Sequence, residues 1–554
     1  MHKAKFNVSS IFTYEFDKQY SKPVAYFSME FAIDQSLKIY SGGLGFLAGS
    51  HLRSAYELKQ NFIGIGILWK NGYYDQERNQ DGTMMVSYVE KNYSFLTDTG
   101  ITFDITVNNH PVKVKAWMLN PETFKTSPLF LLSTDLPEND YMSQATCHRL
   151  YDANEPARIA QSILLGIGGA KLLDILGRET EVYHLNEGHG VPLCFYLLDK
   201  YKSLDEVKKR VVFTTHTPEK AGNETRSTDG LERMSFFYKT DRETVNKISG
   251  PDTENFDYTL AALRMSRISN GVSKLHGEVS RKMLNHNNDI CPIVAVTNAQ
   301  NGTYWKDAAF AKYYLKADGE GMMLRKKEMK RDLFKVVADQ NGKLFDENIL
   351  TIVWARRFAG YKRANLLLQD FNRFLKIINN SKIPVQVIWA GKPYPEDTEA
   401  VDIFNDIIAK IKALPNCAIL TGHELTLSAL LKRGSDLWLN TPRIYREASG
   451  TSGMTAAMNG SINLSIADGW VPEFAEDGKN CFIIPLADEQ ESLQQRDVTE
   501  SENLYALLEN DVIPMYYQHP EKWVKIMQQA VKDVSVAFDS NRMAHEYYDL
   551  LYKQ

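Results

Sequence analysis

The chain has 554 residues, of which 44% are hydrophobic and 24% are charged. This length exceeds a single core of ordinary size and predicts two or three domains, and no apolar run is long enough to span a bilayer. The formal net charge of -5 comes from 64 basic and 69 acidic residues without long blocks, which leaves no electrostatic footprint for nucleic acid. Five widely spaced cysteines and an N-terminus without an export signal predict a cytoplasmic protein with reduced thiols.

Short apolar stretches alternate with amphipathic ones along the chain, which predicts an α/β fold with parallel sheets. The first half has predicted helices at 44–58 and 156–176, and its predicted strands are 24–28, 62–69, 181–185, 211–215 and 293–297. The second half has predicted helices at 361–378, 397–413 and 425–432, and its predicted strands are 350–355, 385–390, 418–421, 436–440 and 462–466. This order predicts two doubly wound, Rossmann-like sheets.

A polar stretch at 298–302 marks the predicted seam between two domains. We therefore predict an N-terminal domain over 1–298, a C-terminal domain over 299–535 and a crossover helix over 536–554. Ligands of open α/β sheets bind beyond the carboxyl ends of the strands. The active site is accordingly expected in a cleft between two facing sheets.

Three segments at predicted strand ends suit anion binding. Gly42 and Gly43 precede a helix, where backbone amides either bind an anion or simply form a tight turn. Segment 354–363 places four cations within eight residues, which favours a phosphate site over a solvated helix start. Segment 446–454 combines Glu447 with small hydroxylated residues, which suits either phosphate binding or a helix cap.

Histidines follow or end two further strands, at His184, His189 and His216. A single histidine in such a place is more often a hydrogen-bonded core residue than a catalyst, although several strand ends together favour a site. The three lie on separate segments without the spacing of a zinc site. We therefore expect no metal.

The ordered set of motifs resembles one family, the α-glucan phosphorylases of the short bacterial type. The matching segments are 26–31, 40–45, 184–189, 214–218, 269–272, 354–363, 390–392 and 440–468. The resemblance implies a GT-B fold, in which two Rossmann-like domains face a central cleft and the C-terminal helices cross back. It also implies retaining transfer of a glucosyl unit from an α-1,4-glucan or maltooligosaccharide to inorganic phosphate, giving glucose 1-phosphate.

The resemblance also implies roles for individual residues. Those assigned to the substrate phosphate are Gly42, Gly43 and Leu44 through their backbone, with Arg357 and Lys362 as a cationic clamp. Those assigned to the glucosyl unit are His216, with its carbonyl facing the developing cation, and Asn270, Glu447, Tyr361, Glu187 and His189. Those assigned to the phosphate of a pyridoxal phosphate cofactor are Arg356, Gly450, Thr451 and Ser452.

The chain departs from the family pattern at the cofactor. Where relatives have the lysine that forms a Schiff base with pyridoxal phosphate, this chain has Thr455, and no lysine lies between Lys432 and Lys479. A threonine cannot form an imine, so we expect the cofactor to be bound without a covalent link or not at all. His423 also falls where relatives have a tyrosine near the cofactor.

Three functions fit this pattern. The chain is a phosphorylase that works without its lysine, a sugar-nucleotide-dependent retaining glucosyltransferase related to glycogen synthase, or a catalytically silent glucan-binding or regulatory protein. The retained anion clamp favours catalysis over silence. Synthase-like enzymes carry two glutamates eight positions apart, and Glu447 with Thr455 supplies only one of them. By analogy with relatives, a homodimer is expected.

Overall fold

A computed structural model describes residues 11–218 and 223–553 of the chain. The described residues form two units, each with its own core. The first unit comprises 11–74, 88–301 apart from 219–222, and 540–553, and the second comprises 75–87 and 302–539. No helix among these residues is long and apolar enough to cross a membrane.

The strands, in chain order, are β1 (Val24–Phe27), β2 (Phe62–Ile67), β3 (Asp75–Arg78), β4 (Met84–Ser87), β5 (Thr97–Val107), β6 (His110–Leu119), β7 (Leu129–Ser133), β8 (Val182–Asn186), β9 (Val211–Thr214), β10 (Thr225–Ser227), β11 (Asn255–Asp257), β12 (Ile268–Gly271), β13 (Ile293–Ala295), β14 (Leu350–Ala355), β15 (Val385–Ala390), β16 (Cys417–Leu420), β17 (Leu437–Asn440), β18 (Ile462–Ser465) and β19 (Cys481–Ile483).

The helices of the first half are α1 (Gly43–Glu57), α2 (Pro121–Phe124), α3 (Tyr141–Ala145), α4 (Glu155–Ile163), α5 (Gly169–Ile175), α6 (Pro192–Tyr201), α7 (Leu204–Lys208), α8 (Thr228–Arg233), α9 (Arg242–Ser249), α10 (Tyr258–Met265) and α11 (Lys274–Leu284). Those of the second half are α12 (Gly302–Trp305), α13 (Ala308–Leu315), α14 (Gly319–Asn341), α15 (Phe371–Ile378), α16 (Thr398–Ile411), α17 (Leu425–Gly434), α18 (Ser452–Ala457), α19 (Leu493–Leu507), α20 (Ile513–Gln518), α21 (Pro520–Ala537) and α22 (Ser540–Tyr547).

The first unit is built on a nine-stranded sheet in the order β13-β12-β9-β8-β1-β2-β7-β6-β5. The strands from β13 to β7 are parallel, while β6 and β5 add an antiparallel edge. The parallel strands β1, β2 and β7 are buried at every position because helices cover both faces. In β5, by contrast, more buried and exposed positions alternate, as expected for an edge strand with one solvent-exposed face.

The C-terminal segment belongs to the first unit, where α22 packs on α1. Ser540 and Ser54 are joined by a hydrogen bond of 2.6 Å between their hydroxyl oxygens. Beyond α22, a π-helical turn buries Tyr548 and Tyr552 completely. The crossover thus begins at Ser540, four residues later than the predicted boundary, because the preceding helix α21 packs within the second unit.

The second unit has a six-stranded, fully parallel sheet in the order β16-β15-β14-β17-β18-β19. This is the doubly wound order in which the direction of winding reverses between β14 and β17. Ligands of such sheets bind beyond the carboxyl ends of the strands at that reversal. The loops after β14 and β17 therefore occupy the expected binding position. The α/β fold class with two doubly wound sheets is confirmed.

Segment 75–87 forms the hairpin β3–β4 of the second unit, although the sequence assigned it to the first domain. Gln76 explains this placement. Its amide nitrogen donates to the Gly391 carbonyl at 3.0 Å, and its amide oxygen accepts from the Gly422 backbone N–H at 3.1 Å. These bonds join β3 to the loops after β15 and β16, and no local sequence pattern reveals such a long-range contact.

The predicted strands all end within two residues of the observed ones, whereas two predicted helices are interrupted. The prediction of one helix over 361–378 was wrong: two short 3₁₀ turns precede α15. Arg363 has φ of +49, a left-handed conformation that no α-helix continues through. Helix 156–176 is interrupted by a π-helical segment over Leu164–Gly168. The elements that were not predicted include the long helix α14 and strands β3, β4, β5, β6, β7, β10, β11, β12 and β19.

Candidate active site

In the first unit, polar residues gather where β8 and β9 end. Asn186 is buried, and its amide oxygen lies 2.7 Å from His216 Nε2 while its amide nitrogen donates to the Ser28 hydroxyl at 3.1 Å. The carboxylate of Glu187 accepts hydrogen bonds from the backbone N–H of His216 and from the Thr217 hydroxyl. Glu187 and Asn186 thus hold the loop that carries His216.

Glu187 has φ of +75, an uncommon conformation for a residue with a side chain. Such strain is maintained only where the surroundings enforce it, and it is frequent at functional sites. Burial raises the pKa of the Glu187 carboxyl against the opposing effect of the hydrogen bonds it accepts. Burial also lowers the pKa of His216 to about 3, helped by nearby His276 and His189. His216 is therefore a neutral imidazole at neutral pH.

Two other histidines at these strand ends have different surroundings. His184 is a core residue, hydrogen-bonded to the Tyr552 hydroxyl at 2.6 Å and to the Thr214 hydroxyl at 2.7 Å. His189 Nδ1 is buried without a hydrogen-bond partner among the described residues, and burial lowers the pKa of His189 to about 4. Within the described chain, no group of three or more histidine, cysteine or acidic side chains could hold a metal ion.

The glycine loop before α1 is held by Glu30. The buried Glu30 carboxylate accepts from the backbone N–H of Ser41 at 2.6 Å and of Gly42 at 3.1 Å, and from the Tyr151 hydroxyl at 2.7 Å. The backbone N–H of Gly42 is therefore already hydrogen-bonded to Glu30, whereas the family resemblance assigned it to the substrate phosphate. A Cβ added to Gly42 or Gly43 would meet no atom within 4 Å.

Gly43 and Leu44 are the first two residues of α1. The first amides of a helix have no partner within it and point outward from the N-terminus. The open space in front of Gly43 leaves room for an anion at this position. Of the three backbone donors predicted for phosphate, Gly43 and Leu44 retain this geometry.

Asn270 does not present its side chain as an open sugar-binding group. It is fully buried, with its amide nitrogen donating to the Gly271 carbonyl and the Tyr547 hydroxyl at 3.1 Å each. Its amide oxygen accepts from the Thr214 hydroxyl at 2.7 Å. In contrast, the buried amide oxygen of Asn298, beyond the end of β13, has no partner in the described chain. Asn298, which lies in the predicted seam, thus has a buried amide oxygen without a partner in the described chain, whereas the amide oxygen of Asn270 is engaged.

In the second unit, the loops after β14 and β17 bring cations and one carboxylate together. Glu447 Oε2 lies 2.9 Å from Arg356 Nη2 and 2.9 Å from Lys362 Nζ, and the Glu447 side chain is only 11% exposed. Burial alone would raise the pKa of Glu447, but Arg356 and Lys362 outweigh it and hold the pKa at about 2. Arg357, which is exposed, lowers it further. We call these four residues the cation cluster.

Tyr361 lies beside this cluster. Its backbone carbonyl accepts from the Arg443 N–H at 2.8 Å, and Lys362 Nζ lies 5.2 Å from the centre of its ring. Half of the predicted clamp, Arg357, is solvent-facing, while Lys362 is buried. The structure thus brings Arg356, Arg357, Lys362 and Tyr361 to the end of β14.

Asp468 holds the backbone of the Glu447 loop, a role that the sequence did not single out. Its Oδ2 accepts from the backbone N–H of Arg446 at 3.1 Å and of Glu447 at 2.9 Å, and its Oδ1 accepts from Gly469 at 2.8 Å. Burial, with a smaller contribution from the Glu447 charge, raises the pKa of Asp468 to about 6 against the opposing effect of the hydrogen bonds that the carboxylate accepts. Its position 21 residues after Glu447 hides this contact from any local pattern.

Gly450, Thr451 and Ser452 connect the cluster to α18. Gly450 has φ of +88, and a Cβ added there would lie 3.1 Å from Arg356 Nη2. Arg356 Nη1 and the Ser449 hydroxyl are buried without hydrogen-bond partners in the described chain. The Arg356 guanidinium and the Ser449 hydroxyl are thus two buried hydrogen-bond donors for which the described chain provides no acceptor. Such an arrangement suits the binding of an anion.

Thr455 lies on α18, fully buried, with its hydroxyl donating to the Ser452 carbonyl at 3.0 Å. This bond keeps the short side chain against its own helix. After β16, His423 Nε2 is buried without a partner in the described chain. Burial, with the charges of Lys432 and Lys392, lowers the pKa of His423 to about 3.

Comparison with known proteins agrees with this arrangement. A model of the carbohydrate phosphorylase family matches residues 316–513. An uncharacterized protein of Methanocaldococcus jannaschii is 46% identical, covering 96% of this chain and 100% of the relative. The maltodextrin phosphorylase of Thermococcus litoralis is 34% identical, with 97% and 71% covered, and the glycogen phosphorylase of Aquifex aeolicus is 31% identical, with 98% and 87% covered. The chain therefore belongs to the carbohydrate phosphorylase family.

Proposed function

We propose that the chain is an α-glucan phosphorylase-type glucosyltransferase. It would move a terminal glucosyl unit of an α-1,4-glucan to inorganic phosphate and release glucose 1-phosphate. The observation that carries the proposal is the cation cluster at the carboxyl end of β14, formed by Arg356, Arg357, Lys362 and Glu447. The similarity to a maltodextrin phosphorylase and a glycogen phosphorylase supports the same reaction.

The charges of the cluster suit an incoming phosphate. Three cations face a single carboxylate, so the cluster stays positive even with Glu447 ionised. Guanidinium groups bind phosphate oxygens through paired N–H donors, and a lysine adds a compact positive charge. Glu447 compensates part of the buried positive charge before an anion binds, and we assign it to hydrogen bonds with sugar hydroxyls.

The first unit supplies groups for the sugar. Glucosyl transfer passes through an oxocarbenium-like state, which fixed dipoles and acceptors stabilise near the anomeric carbon. Glu187 holds the His216 backbone N–H, so the peptide groups of that loop are fixed before substrate arrives. A neutral His216 adds no repulsive charge to the developing cation. We assign the unpartnered amide oxygen of Asn298 as the acceptor of a hydrogen bond from a sugar hydroxyl.

The family normally uses pyridoxal phosphate, and residues of the second unit fit its phosphate group. Arg356 Nη1 and the Ser449 hydroxyl are unpartnered buried donors, and the backbone of Gly450, Thr451 and Ser452 adjoins them. When bound, the cofactor supplies an acid–base phosphate group for proton exchange with the substrate phosphate. These contacts are non-covalent, and Thr455 adds no covalent link.

The decisive experiment measures glucose 1-phosphate release from maltoheptaose and inorganic phosphate by the purified chain, with and without added pyridoxal phosphate. We expect release that increases with the cofactor. Arg357→Ala should reduce kcat/KM at least 100-fold, since one charge-assisted contact to a reacting phosphate contributes about 3 kcal/mol. Arg331→Ala, a change at an exposed arginine on α14, is the matched control. No release under either condition would refute the proposal, and turnover of ADP-glucose or UDP-glucose instead would identify a sugar-nucleotide enzyme.

A further inference from the structure

A cavity of about 670 Å³ opens at the amino-terminal edge of the sheet of the first unit. Its walls include the residues directly before four strands, which are Pro23, Glu181, Arg210 and Arg267. The strands that follow them, β1, β8, β9 and β12, are neighbours in the parallel sheet. The candidate active-site residues of this unit follow the carboxyl ends of β8 and β9, and a four-residue strand is about 13 Å long. The cavity is therefore separate from that site.

Charged side chains form much of the cavity wall, with six basic and four acidic residues. Two of the carboxylates have basic partners on the same wall. Asp174 pairs with Lys200 at 2.5 Å. Glu206 pairs with Lys209 at 2.5 Å and with Arg210 at 2.7 Å. Half of the basic side chains are thus compensated by neighbouring carboxylates.

The other three basic side chains, Lys22, Arg178 and Arg267, have no carboxylate oxygen within 4 Å in the described chain. Arg178 Nη2 donates instead to the side-chain oxygen of Asn61 at 2.8 Å and to its carbonyl at 3.1 Å. The Arg267 guanidinium donates to three backbone carbonyls. Bonds to neutral oxygens fix the position of a guanidinium but leave its positive charge uncompensated.

Both arginines also have a hydrogen-bond donor without an acceptor. The Nε atoms of Arg178 and Arg267 are buried and have no partner within the described residues. Buried donors of this kind are rare in proteins and call for a ligand or solvent acceptor. Burial, followed by the charge of Arg267, lowers the pKa of Lys22, and the opposing effect of Glu181 is smaller. The net field at this part of the wall is therefore positive.

The remaining carboxylates of the wall indicate what else a ligand would carry. Glu179 and Glu181 are exposed beside the three uncompensated cations. Carboxylates repel an anion, but they accept hydrogen bonds from hydroxyl groups. A wall with both features suits a molecule that has an anionic group at one end and hydroxyl groups at the other. The volume of the cavity also exceeds what a bare phosphate ion occupies.

We propose that this cavity is a separate ligand site of the first unit, which binds the phosphate ester of a small polyol. The guanidinium groups of Arg178 and Arg267 bind phosphate oxygens, and Lys22 adds a third positive charge. Glu179 and Glu181 accept hydrogen bonds from the hydroxyl groups. The site goes beyond the proposed phosphorolysis and does not depend on it, because it shares no residue with the candidate active site.

Binding at this site should stabilise the end of the chain. Arg267 Nη2 donates to the carbonyls of Leu551 and Tyr552, in the π-helical turn after α22. A ligand that fixes the guanidinium of Arg267 also fixes the group that holds this turn. The backbone amides of the turn should therefore exchange their hydrogens more slowly when the ligand is bound.

The test uses the full-length protein with glycerol 3-phosphate as the probe, followed by hydrogen exchange with mass spectrometry and by titration calorimetry. We expect protection of segments 178–183, 207–211 and 548–553 at millimolar probe. Arg357→Ala, a change in the cation cluster, should leave this protection unaltered. Glycerol and inorganic phosphate, tested separately, should each bind at least about 10-fold more weakly than the ester, since each makes only part of the contacts.

The variants test the role of charge. Lys22→Met should weaken binding of glycerol 3-phosphate about 10-fold, since it removes a charge-assisted contact. The Lys22 side chain makes no hydrogen bond within the described chain, so this variant should remain folded. Lys22→Arg should retain affinity. Lys202→Met, a change at an exposed lysine outside the cavity, is the matched control.

Unaltered exchange of these three segments at millimolar glycerol 3-phosphate would overturn the inference. So would equal affinity of wild type and Lys22→Met for the probe. Protection by inorganic phosphate as strong as that by the ester would show that the polyol assignment is wrong. All these outcomes are read without turnover, so they leave the test of glucose 1-phosphate release unaffected.

Discussion

At the residue scale, the cation cluster depends on one carboxylate. Glu447 is the shared partner of the buried Arg356 and Lys362. Removing one member of a buried ion pair leaves the other charge uncompensated in a medium of low dielectric constant. The identity of residue 447 therefore governs both the stability of this loop and its affinity for anions.

Glu447→Gln should lower the free energy of unfolding by about 3–5 kcal/mol, because two buried cations lose their counter-ion. Added inorganic phosphate should restore part of that loss by binding to the vacated cations. Urea titrations with and without phosphate measure both effects. Glu122→Gln, a change at an exposed carboxylate, is the control. Equal stability of wild type and variant would show that the ion pairs contribute nothing.

Asp468 predicts a pH dependence of stability. Its pKa is raised to about 6 in the folded state, so it binds a proton more tightly there than in the unfolded chain. Its contribution to stability is therefore present below pH 4 and is lost as the pH rises through 6. A difference of about two pKa units corresponds to about 3 kcal/mol. Wild type should lose stability relative to Asp468→Asn between pH 4 and 7, as denaturant titration at each pH would measure.

A constant difference between Asp468→Asn and wild type across that range would contradict this prediction.

The sequence alone identified the carboxylate of Glu447, because it adjoins a predicted strand end and a helix start. It did not identify Asp468, whose partners lie 21 and 22 residues earlier. Nor did it reveal that the amide of Gly42 is engaged by Glu30.

At the element scale, the loops after neighbouring strands are packed against each other. Gly391, directly after β15, has φ of +151, and a Cβ there would lie 1.8 Å from the carbonyl oxygen of Arg356 after β14. Any side chain at 391 must displace the backbone that carries Arg356. The end of β15 thus determines where the cations after β14 lie.

Gly391→Ala should lower the free energy of unfolding by about 3 kcal/mol or more and weaken phosphate binding, since the overlap is with backbone. Gly422→Ala is the matched control, because Gly422 also has positive φ but no atom within 4 Å of the added Cβ. We expect the control to cost about 1 kcal/mol and to leave phosphate affinity unchanged. Thermal denaturation and phosphate titration calorimetry measure the two quantities, and equal effects of both substitutions would refute the explanation.

The strands that were predicted with their observed ends are continuous apolar runs, although the equally buried strand β7 was missed. Strands β14 and β15 are buried at every position and were predicted with their observed ends. Strand β5 alternates buried and exposed residues and was missed. The helix predicted over 361–378 failed at Arg363, whose backbone conformation is held by long-range bonds from its side chain to Thr441 and Pro442 carbonyls.

At the scale of the whole molecule, the chain returns to its first unit at the end. The Tyr547 hydroxyl on α22 is a partner of the Asn270 amide at 3.1 Å and of the Thr214 hydroxyl at 3.3 Å. The last helix therefore completes a hydrogen-bonded group at the ends of β9 and β12. The core of the first unit therefore includes side chains that lie more than 250 positions from β12 in the sequence.

Tyr547→Phe should reduce the free energy of unfolding by about 1–3 kcal/mol, because the buried amide of Asn270 loses a hydrogen-bond acceptor. Tyr141→Phe, at a position that is 74% exposed, should have no measurable effect. Urea unfolding followed by circular dichroism compares the two. A similar small change for both variants would show that the buried hydroxyl is not an essential acceptor.

By itself, the sequence determined the fold class and the positions of ten strands, and it predicted the candidate anion-binding segments, because apolar periodicity and glycine or cation runs are local properties. Only the tertiary structure assigned segment 75–87 to the second unit, through the two hydrogen bonds of Gln76. It also placed Lys432 against Trp305, 127 positions away in the chain. Contacts between distant residues depend on how whole elements pack, and packing leaves no periodic pattern in the sequence.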